Sequence, residues 1–172
     1  ALEAFIQLAS EHPATHFILL GGYATEEFTR QAKARLEGEG LLSRFTLLEG
    51  HTSLEVCAEL MSISDVFASL LGRGDMRSTS ILQATAAGGV PIISDLPEYR
   101  EMERLGFAGL FVRPGSVEDV LGALRFVIQN PASASEMVAR NEIYIAEHED
   151  HLKQMDKLLS LIDATCADYV GR

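Results

Sequence analysis

Five short apolar runs recur along the chain at intervals of roughly 20 to 28 residues: His16–Leu20, Phe45–Leu48, Val66–Leu70, Val90–Ile93 and Leu110–Val112. Each is followed by a stretch that mixes polar and apolar residues at helical spacing. Runs of this kind read as strands buried on both faces. Alternated with helices, they predict a parallel, doubly wound sheet. Most of them end in Gly, Ser, Asp or Pro, the residues expected where a strand hands over to a loop.

Helix starts are marked as well. Thr52-Ser53-Leu54-Glu55 is a capping box ahead of a helix through Met61, with Leu54, Cys57, Ala58 and Met61 on one face. Ser116-Val117-Glu118-Asp119 opens a second helix, carrying Val120, Leu121, Leu124 and Ile128. Ser133-Ala134-Ser135-Glu136 restarts helix after Pro131. From His148 to Ala167, Leu152, Met155, Leu158, Leu159 and Ile162 again fall at helical spacing. The pattern predicts one α/β domain over residues 1–131 and C-terminal helices over 132–172.

Composition agrees with a packed domain. The 172 residues are 47% hydrophobic and 23% charged, which excludes a disordered tail, a collagen-like repeat or a low-complexity linker. A chain of this length buries roughly 70% of its unfolded surface, enough for a core without staples. No uncharged apolar run is long enough to span a membrane, and no signal peptide is visible. The chain opens inside a helical pattern, so the reading leaves room for an upstream segment. Cys57 and Cys166 each lie inside a helical pattern, and two thiols do not make a disulfide framework. They read as buried, reduced thiols of a cytoplasmic protein.

Charge sharpens the expectation. With 14 Lys and Arg against 25 Asp and Glu, the formal net charge is −11. Such a surface repels nucleic acid and anionic lipid, so neither is an expected partner. An anionic ligand needs a local exception to the average. One segment supplies it: Leu70-Leu71-Gly72-Arg73-Gly74-Asp75-Met76-Arg77-Ser78-Thr79-Ser80, between a predicted strand and the small-residue helix Ile81–Ala87. Two arginines and three hydroxyls at a helix start fit a phosphate-sized anion held on backbone amides. The same residues fit a plain helix cap with solvated arginines, and the pattern alone does not choose. Gly21-Gly22 after the first run fits either a close backbone approach or a turn. His148 and His151 sit three apart, but with no further Cys or His nearby they read as a solvated face.

From Phe45 onward the order of motifs resembles the donor-binding C-terminal domain of retaining glycosyltransferases of the glycogen-synthase-like superfamily, family 4 type. The carrying residues are Ala58-Glu59-Leu60-Met61 with Ser64-Asp65-Val66-Phe67-Ala68-Ser69, then Asp75 with Leu82-Gln83-Ala84-Thr85-Ala86-Ala87-Gly88-Gly89-Val90-Pro91-Ile92-Ile93. Gly109-Leu110-Phe111-Val112-Arg113-Pro114-Gly115 and a helix ending at Asn130-Pro131 complete the series. Leu2–Phe5 and Phe17–Gly22 fit the preceding helix and strand, so the likeness covers about residues 1 to 131.

The resemblance implies a Rossmann-like, nucleotide-sugar-binding domain in carbohydrate biosynthesis. It puts sugar hydroxyls on Asp75 as the catalytic-position carboxylate. The donor diphosphate falls on the amides of Ser78 and Thr79, beside the turn whose own Arg73 and Arg77 are expected to add local positive charge. Base and ribose fall over the loops of Gly21-Gly22 and Gly50-His51 and against Gln83. The nucleoside diphosphate sugar is then a substrate, and no metal or resident cofactor is called for; the motifs leave the acceptor unspecified.

Two departures qualify this. The family has a carboxylate where Gln83 stands, and an amide lacks its charge-assisted strength. Ser80 and Gln83 also have the spacing of a capping box, a purely structural role. The family's domain also begins one strand earlier, with a loop whose Arg and Lys neutralise the leaving diphosphate. That strand would lie centrally, between those ending at Leu20 and Leu70. The acceptor-binding N-terminal domain of the same polypeptide would lie outside these residues, as would any attachment to a membrane periphery. Two alternatives stand beside the transferase: a degenerate module that binds a nucleotide sugar or nothing, and a nucleotide-sugar epimerase of the same architecture.

Overall fold

A computed structural model of the chain describes residues 1–21, 26–50, 52–70 and 78–170, apart from the side chains of 49 and 164–170. In chain order the elements are α1 (Leu2–Glu11), β1 (Phe17–Gly21), α2 (Glu26–Gly38), β2 (Phe45–Glu49), α3 (Leu54–Ser62) and β3 (Val66–Ser69). After them come α4 (Thr79–Ala86), β4 (Val90–Ser94), α5 (Pro97–Arg104), β5 (Leu110–Val112), α6 (Val117–Gln129), α7 (Pro131–Tyr144) and α8 (His151–Val170). All five predicted strands form, and every pairing is parallel. The architecture is α/β and Rossmann-like, with a helical C-terminal region.

The strands fall into two sheets, β1-β2 and β3-β4-β5. Among the described residues no hydrogen-bonded pairing joins β1 to β3. The break falls where the resemblance puts a further, central strand. It explains why burial on both faces holds for some strands only. All five residues of β4, which has neighbours on both sides, are buried. β3 has one neighbour, is half-buried, and exposes Ala68.

Helix α1 packs on both sheets. Ala4 and Leu8 join Ile92, Val112, Val120 and Leu121 in one apolar cluster. Phe5, Ile6 and Ala9 join Leu36 and Phe45 in another, where Phe5, Phe17 and Phe45 pack ring on ring. Polar contacts fix the same helix. Arg44, just before β2, donates to the carbonyls of Thr15 at 3.0 Å, Ala9 at 2.8 Å and His12 at 2.7 Å. It thereby satisfies carbonyls at and beyond the end of α1 that no helical amide can reach. Glu11 pairs with Arg125 on α6.

Element ends follow local chemistry. Ser116 opens α6 as predicted, accepting from Asp119 N–H at 3.1 Å, whereas α3 is capped one residue later than the Thr52–Glu55 box implies, by Ser53 accepting from Val56 N–H at 3.4 Å. Helix α4 stops at Gly88, whose φ of +93° is left-handed backbone that a side chain disfavours. At Gly89 a Cβ would lie 3.2 Å from the Ala84 carbonyl oxygen, a tight approach that favours glycine at the turn into β4.

Several expectations need correction. On α3, Met61 is buried but Leu54 is 75% exposed and Ala58 is exposed, so the predicted apolar face is covered at its end only. Helix α7 starts at Pro131 itself rather than at Ser133, because proline at the first helical position has no amide to leave unsatisfied. The C-terminal helix starts at His151, not His148: Ile145–Glu149 form a π-helical turn, and Asp150 caps α8 through Leu152 N–H and Lys153 N–H. His148 and His151 therefore do not share a helix. The thiol of Cys57 is half-buried rather than buried, and that of Cys166 lies outside the described side chains.

Replacing Arg44 with Met removes the cluster of charge-assisted bonds at the α1 end. The expected cost is about 2 to 3 kcal/mol, since hydrogen bonds to charged groups are the costly ones to lose. A circular-dichroism melt should show the midpoint fall by roughly 4 to 12 °C. Arg44→Lys should not rescue it, because a point charge cannot replace the guanidinium fork.

Candidate functional site

In open parallel sheets ligands meet the protein beyond the carboxyl ends of the strands. Here β1 and β2 end side by side, with Gly21 opposite Glu49. Gly50 follows with φ +83°, a left-handed turn, and open space where a Cβ would be. Its glycine answers a backbone requirement rather than a crowded contact. Gly22 and His51 lie outside the described residues. So do Arg73, Asp75 and Arg77, between β3 and α4.

The start of α4 is described, and it differs from the starts of α3 and α6. Ser78 occupies the N-cap position, with extended backbone. Its hydroxyl makes no cap to the helix; it bonds the Ser80 hydroxyl instead, at 2.6 Å. The amides of Thr79 and Ser80 are thus left with neither a helical nor a side-chain acceptor among the described residues. Amides in a first turn carry partial positive charge and point outward along the helix axis, suited to an anion. Thr79 is exposed and Ser78 and Ser80 are partly so.

Gln83 lies one turn further along α4, exposed, and its side chain has no hydrogen-bond partner among the described residues. The capping-box reading of Ser80 and Gln83 does not hold, because Ser80 sits inside the helix rather than at its cap. Ser80 itself was not singled out as a donor-binding residue. Its signal was the Ser-x-Ser spacing, which lets the two hydroxyls satisfy each other and leaves the amides free.

Electrostatics point to the same turn. Every arginine among the described residues is engaged within the fold. Arg30, Arg35, Arg100, Arg104, Arg113 and Arg125 are paired with carboxylates, while Arg44 and Arg140 donate to backbone carbonyls. Asp95, directly after β4, would repel an anion if left alone. Arg100 grips both its oxygens at 2.6 and 2.8 Å and holds its carboxyl below the usual range, while stacking 4.0 Å over the Phe111 ring. Guanidinium charge not already spent on the fold must come from outside the described part, where Arg73 and Arg77 lie. No group of three or more potential metal ligands occurs among the described residues. No described helix is long and apolar enough to cross a membrane.

Comparison with known proteins places this arrangement. Residues 1–143 match the family pattern "Glycosyl transferases group 1". The fold is similar to that of Anabaena Alr3699/HepE in complex with UDP, with TM-score 0.79 and 14% identity, over 95% of this chain and 44% of that one. It is similar to the C-terminal domain of LpcC, a group 1 glycosyl transferase family protein from Francisella tularensis, with TM-score 0.77 and 13% identity, over 87% of this chain and 77% of that one. Sucrose-phosphate synthase from Thermosynechococcus elongatus gives TM-score 0.71 and 19% identity, over 95% of this chain and 42% of that one. The chain thus spans less than half the length of the HepE and synthase chains it matches. No curated protein matches it in sequence.

The free amides make a direct test available. Ser78→Asp puts a carboxylate at the cap of α4, where it occupies the amides that an anion would use. Stability of the chain should rise by about 0.5 to 1 kcal/mol. Binding of inorganic pyrophosphate, followed by calorimetry, should be lost in the same variant.

Proposed function

The chain belongs to the group 1 glycosyltransferase family, and we propose that it is the donor-binding domain of a retaining enzyme of the family 4 type. Residues 1–131 bind a nucleoside diphosphate sugar in this reading, and 132–172 form the helical appendage. The observation that carries it is the start of α4, where Ser78 bonds Ser80 and leaves first-turn amides to an anion. The nucleotide complex of HepE, a protein of the same fold, supports the choice of anion.

The diphosphate rests on the α4 amides, with Arg73 and Arg77 beside it and Asp75 against the sugar hydroxyls. Base and ribose lie over Gly21, Gly22, Gly50 and His51 and against Gln83. In the transfer, the bond from the anomeric carbon to the diphosphate oxygen breaks. The acceptor oxygen bonds that carbon on the same face, and its proton passes to the departing diphosphate. The protein's part is positioning and electrostatic stabilisation, with the nucleotide sugar as substrate and no resident cofactor.

One observation favours the second reading, a module that has lost the site. Gln83, where the family has a carboxylate, is exposed and without a partner among the described residues. Calorimetry with UDP, GDP and ADP separates the two: the donor domain gives heat with at least one, the degenerate module with none. Charge reversal at Arg73 or Arg77 should weaken that binding at low salt, with an effect that shrinks as screening grows. Unchanged affinity at low salt returns both residues to a solvated surface.

The chain alone should not turn over. Transfer of this kind takes place between two domains, and a lost diphosphate donor costs about 3 to 4 kcal/mol in the transition state. Losing the acceptor's orientation costs a further 7 to 11 kcal/mol or so. Transfer from radiolabelled donors by the 172-residue chain should therefore fall far below that of a full-length relative. Turnover within about tenfold, under 1.5 kcal/mol, would refute this reading.

A further inference from the structure

The carboxyl end of β4 carries a carboxylate that the donor-binding reading leaves unused. Asp95 follows the last residue of that strand, and its backbone N–H donates to the carbonyl of Val112 on β5 at 2.7 Å. Its side chain is held as firmly. Arg100 donates to both carboxylate oxygens, at 2.6 and 2.8 Å, and the same guanidinium donates to Glu103 at 2.8 Å. That guanidinium lies 4.0 Å over the Phe111 ring. The side chain of Asp95 is nonetheless 40% exposed.

The start of α4 is built on the same apolar cluster as this turn. Ile81, in the first turn of α4, is buried with Ile93 of β4, and Leu96 and Phe111 pack against them. Ile93 and Leu96 flank Asp95 in the chain, and Phe111 lies under Arg100. The strands leading into the two turns are paired neighbours, with Ser69 of β3 opposite Ile93. Adjacent strands are about 4.8 Å apart. The chemistry of the two turns is opposite. First-turn amides favour an anion, whereas two carboxylates against one guanidinium repel it. An ionised carboxylate accepts at about four lone-pair sites. Arg100 takes two at Asp95, which leaves acceptors open to hydroxyl donors. Local structure has no other use for them: no side chain caps α5, and exposed ion pairs add little stability.

We propose that Asp95 is a sugar-binding residue of the donor site: its carboxylate, fixed by Arg100, accepts from hydroxyls of the transferred sugar while the diphosphate sits on the first-turn amides of α4. The inference rests on the nucleoside-diphosphate reading above. It adds a carboxylate after β4 to the one at Asp75, and it orders the donor along the sheet edge, with phosphates at α4 and sugar towards β4. It also sets the substrate class. The sugar is neutral and carries free hydroxyls, because a uronic acid would meet Asp95 with like charge.

The test is Asp95→Asn in the full 172-residue chain, titrated by calorimetry with UDP and UDP-glucose, GDP and GDP-mannose, and ADP and ADP-glucose. In the unaltered chain at least one sugar nucleotide should bind more tightly than its bare nucleotide. The variant should lose about tenfold for that sugar nucleotide, the worth of a charge-assisted hydrogen bond, and bind the bare nucleotide within about twofold as before. Glu103→Gln, which takes the other carboxylate from Arg100 and leaves Asp95 in place, should change neither affinity. Equal losses for nucleotide and sugar nucleotide in Asp95→Asn, or a loss for neither, overturn the proposal while the donor-binding reading stands. An unaltered chain that binds no sugar nucleotide more tightly than its nucleotide does the same. If none of these probes binds, the donor-binding reading itself fails and this inference with it. A second measurement needs no variant: the uronate ester of whichever nucleotide binds should bind more weakly than the neutral sugar ester. Equal or tighter binding of the uronate overturns the proposal independently.

Discussion

Two sheets that share no hydrogen bond among the described residues are held together by one ten-residue helix. Helix α1 keeps one narrow polar face, Glu3, Gln7 and Ser10, and buries most of the rest. Ala4 and Leu8 face the β3-β4-β5 half, and Phe5, Ile6 and Ala9 face the β1-β2 half. The β1-β2 half is a two-stranded sheet, marginal in water without a helix packed on it. The polar contacts of Arg44 and of Glu11 with Arg125 then fix how far α1 slides along each half. Everything that the strand ends present to a ligand depends on that alignment.

A second constraint is electrostatic. On a chain with net charge −11, arginines drawn into ion pairs with their own neighbours are neutral as far as a ligand is concerned. Arg113 illustrates it: it grips Asp119, whose carboxyl is held well below the usual range, and ties the start of α6 to the end of β5. Such pairs on an exposed surface add little stability, but they remove free positive charge from most of the molecule. Among the described residues, no arginine is left without such a pair or a backbone carbonyl to hold.

The strands were legible because each is a run of apolar residues with glycine or polar punctuation, and that signal survives without tertiary context. Their burial was not, because it depends on how many neighbours a strand has in the sheet, and β3 has one where β4 has two. The π-helical turn before Asp150 was hidden in a stretch of unbroken helical periodicity, since such a turn changes the hydrogen bonding without changing which residues are apolar. Around the candidate site, the serines of α4 announced themselves by composition, yet only coordinates show that two hydroxyls bond each other. The hydroxyl of Tyr99 on α5, buried and without a hydrogen-bond partner among the described residues, gave no signal at all. An aromatic residue at an apolar position of an amphipathic helix looks like core, and where its oxygen lies is a matter of packing. Asn141 is of the same kind: fully buried, it holds both the N–H and the carbonyl of Ala108, at 2.7 and 2.8 Å, and so welds α7 to the turn before β5.

The bridge made by α1 also sets an order of events during synthesis. Glu11 and its partner Arg125 are 114 residues apart in the chain. At a translation rate of about 5 to 20 residues per second, the ribosome needs roughly 6 to 23 s to supply the second. Through most of that interval the Ala4 and Leu8 side of the helix lacks its partners Ile92, Val112, Val120 and Leu121. The β1-α2-β2 unit, in contrast, is already complete and can cover the Phe5 side. Nascent chains of this protein therefore pass through a stage with one face of α1 seated and the other bare, the kind of surface that chaperones hold.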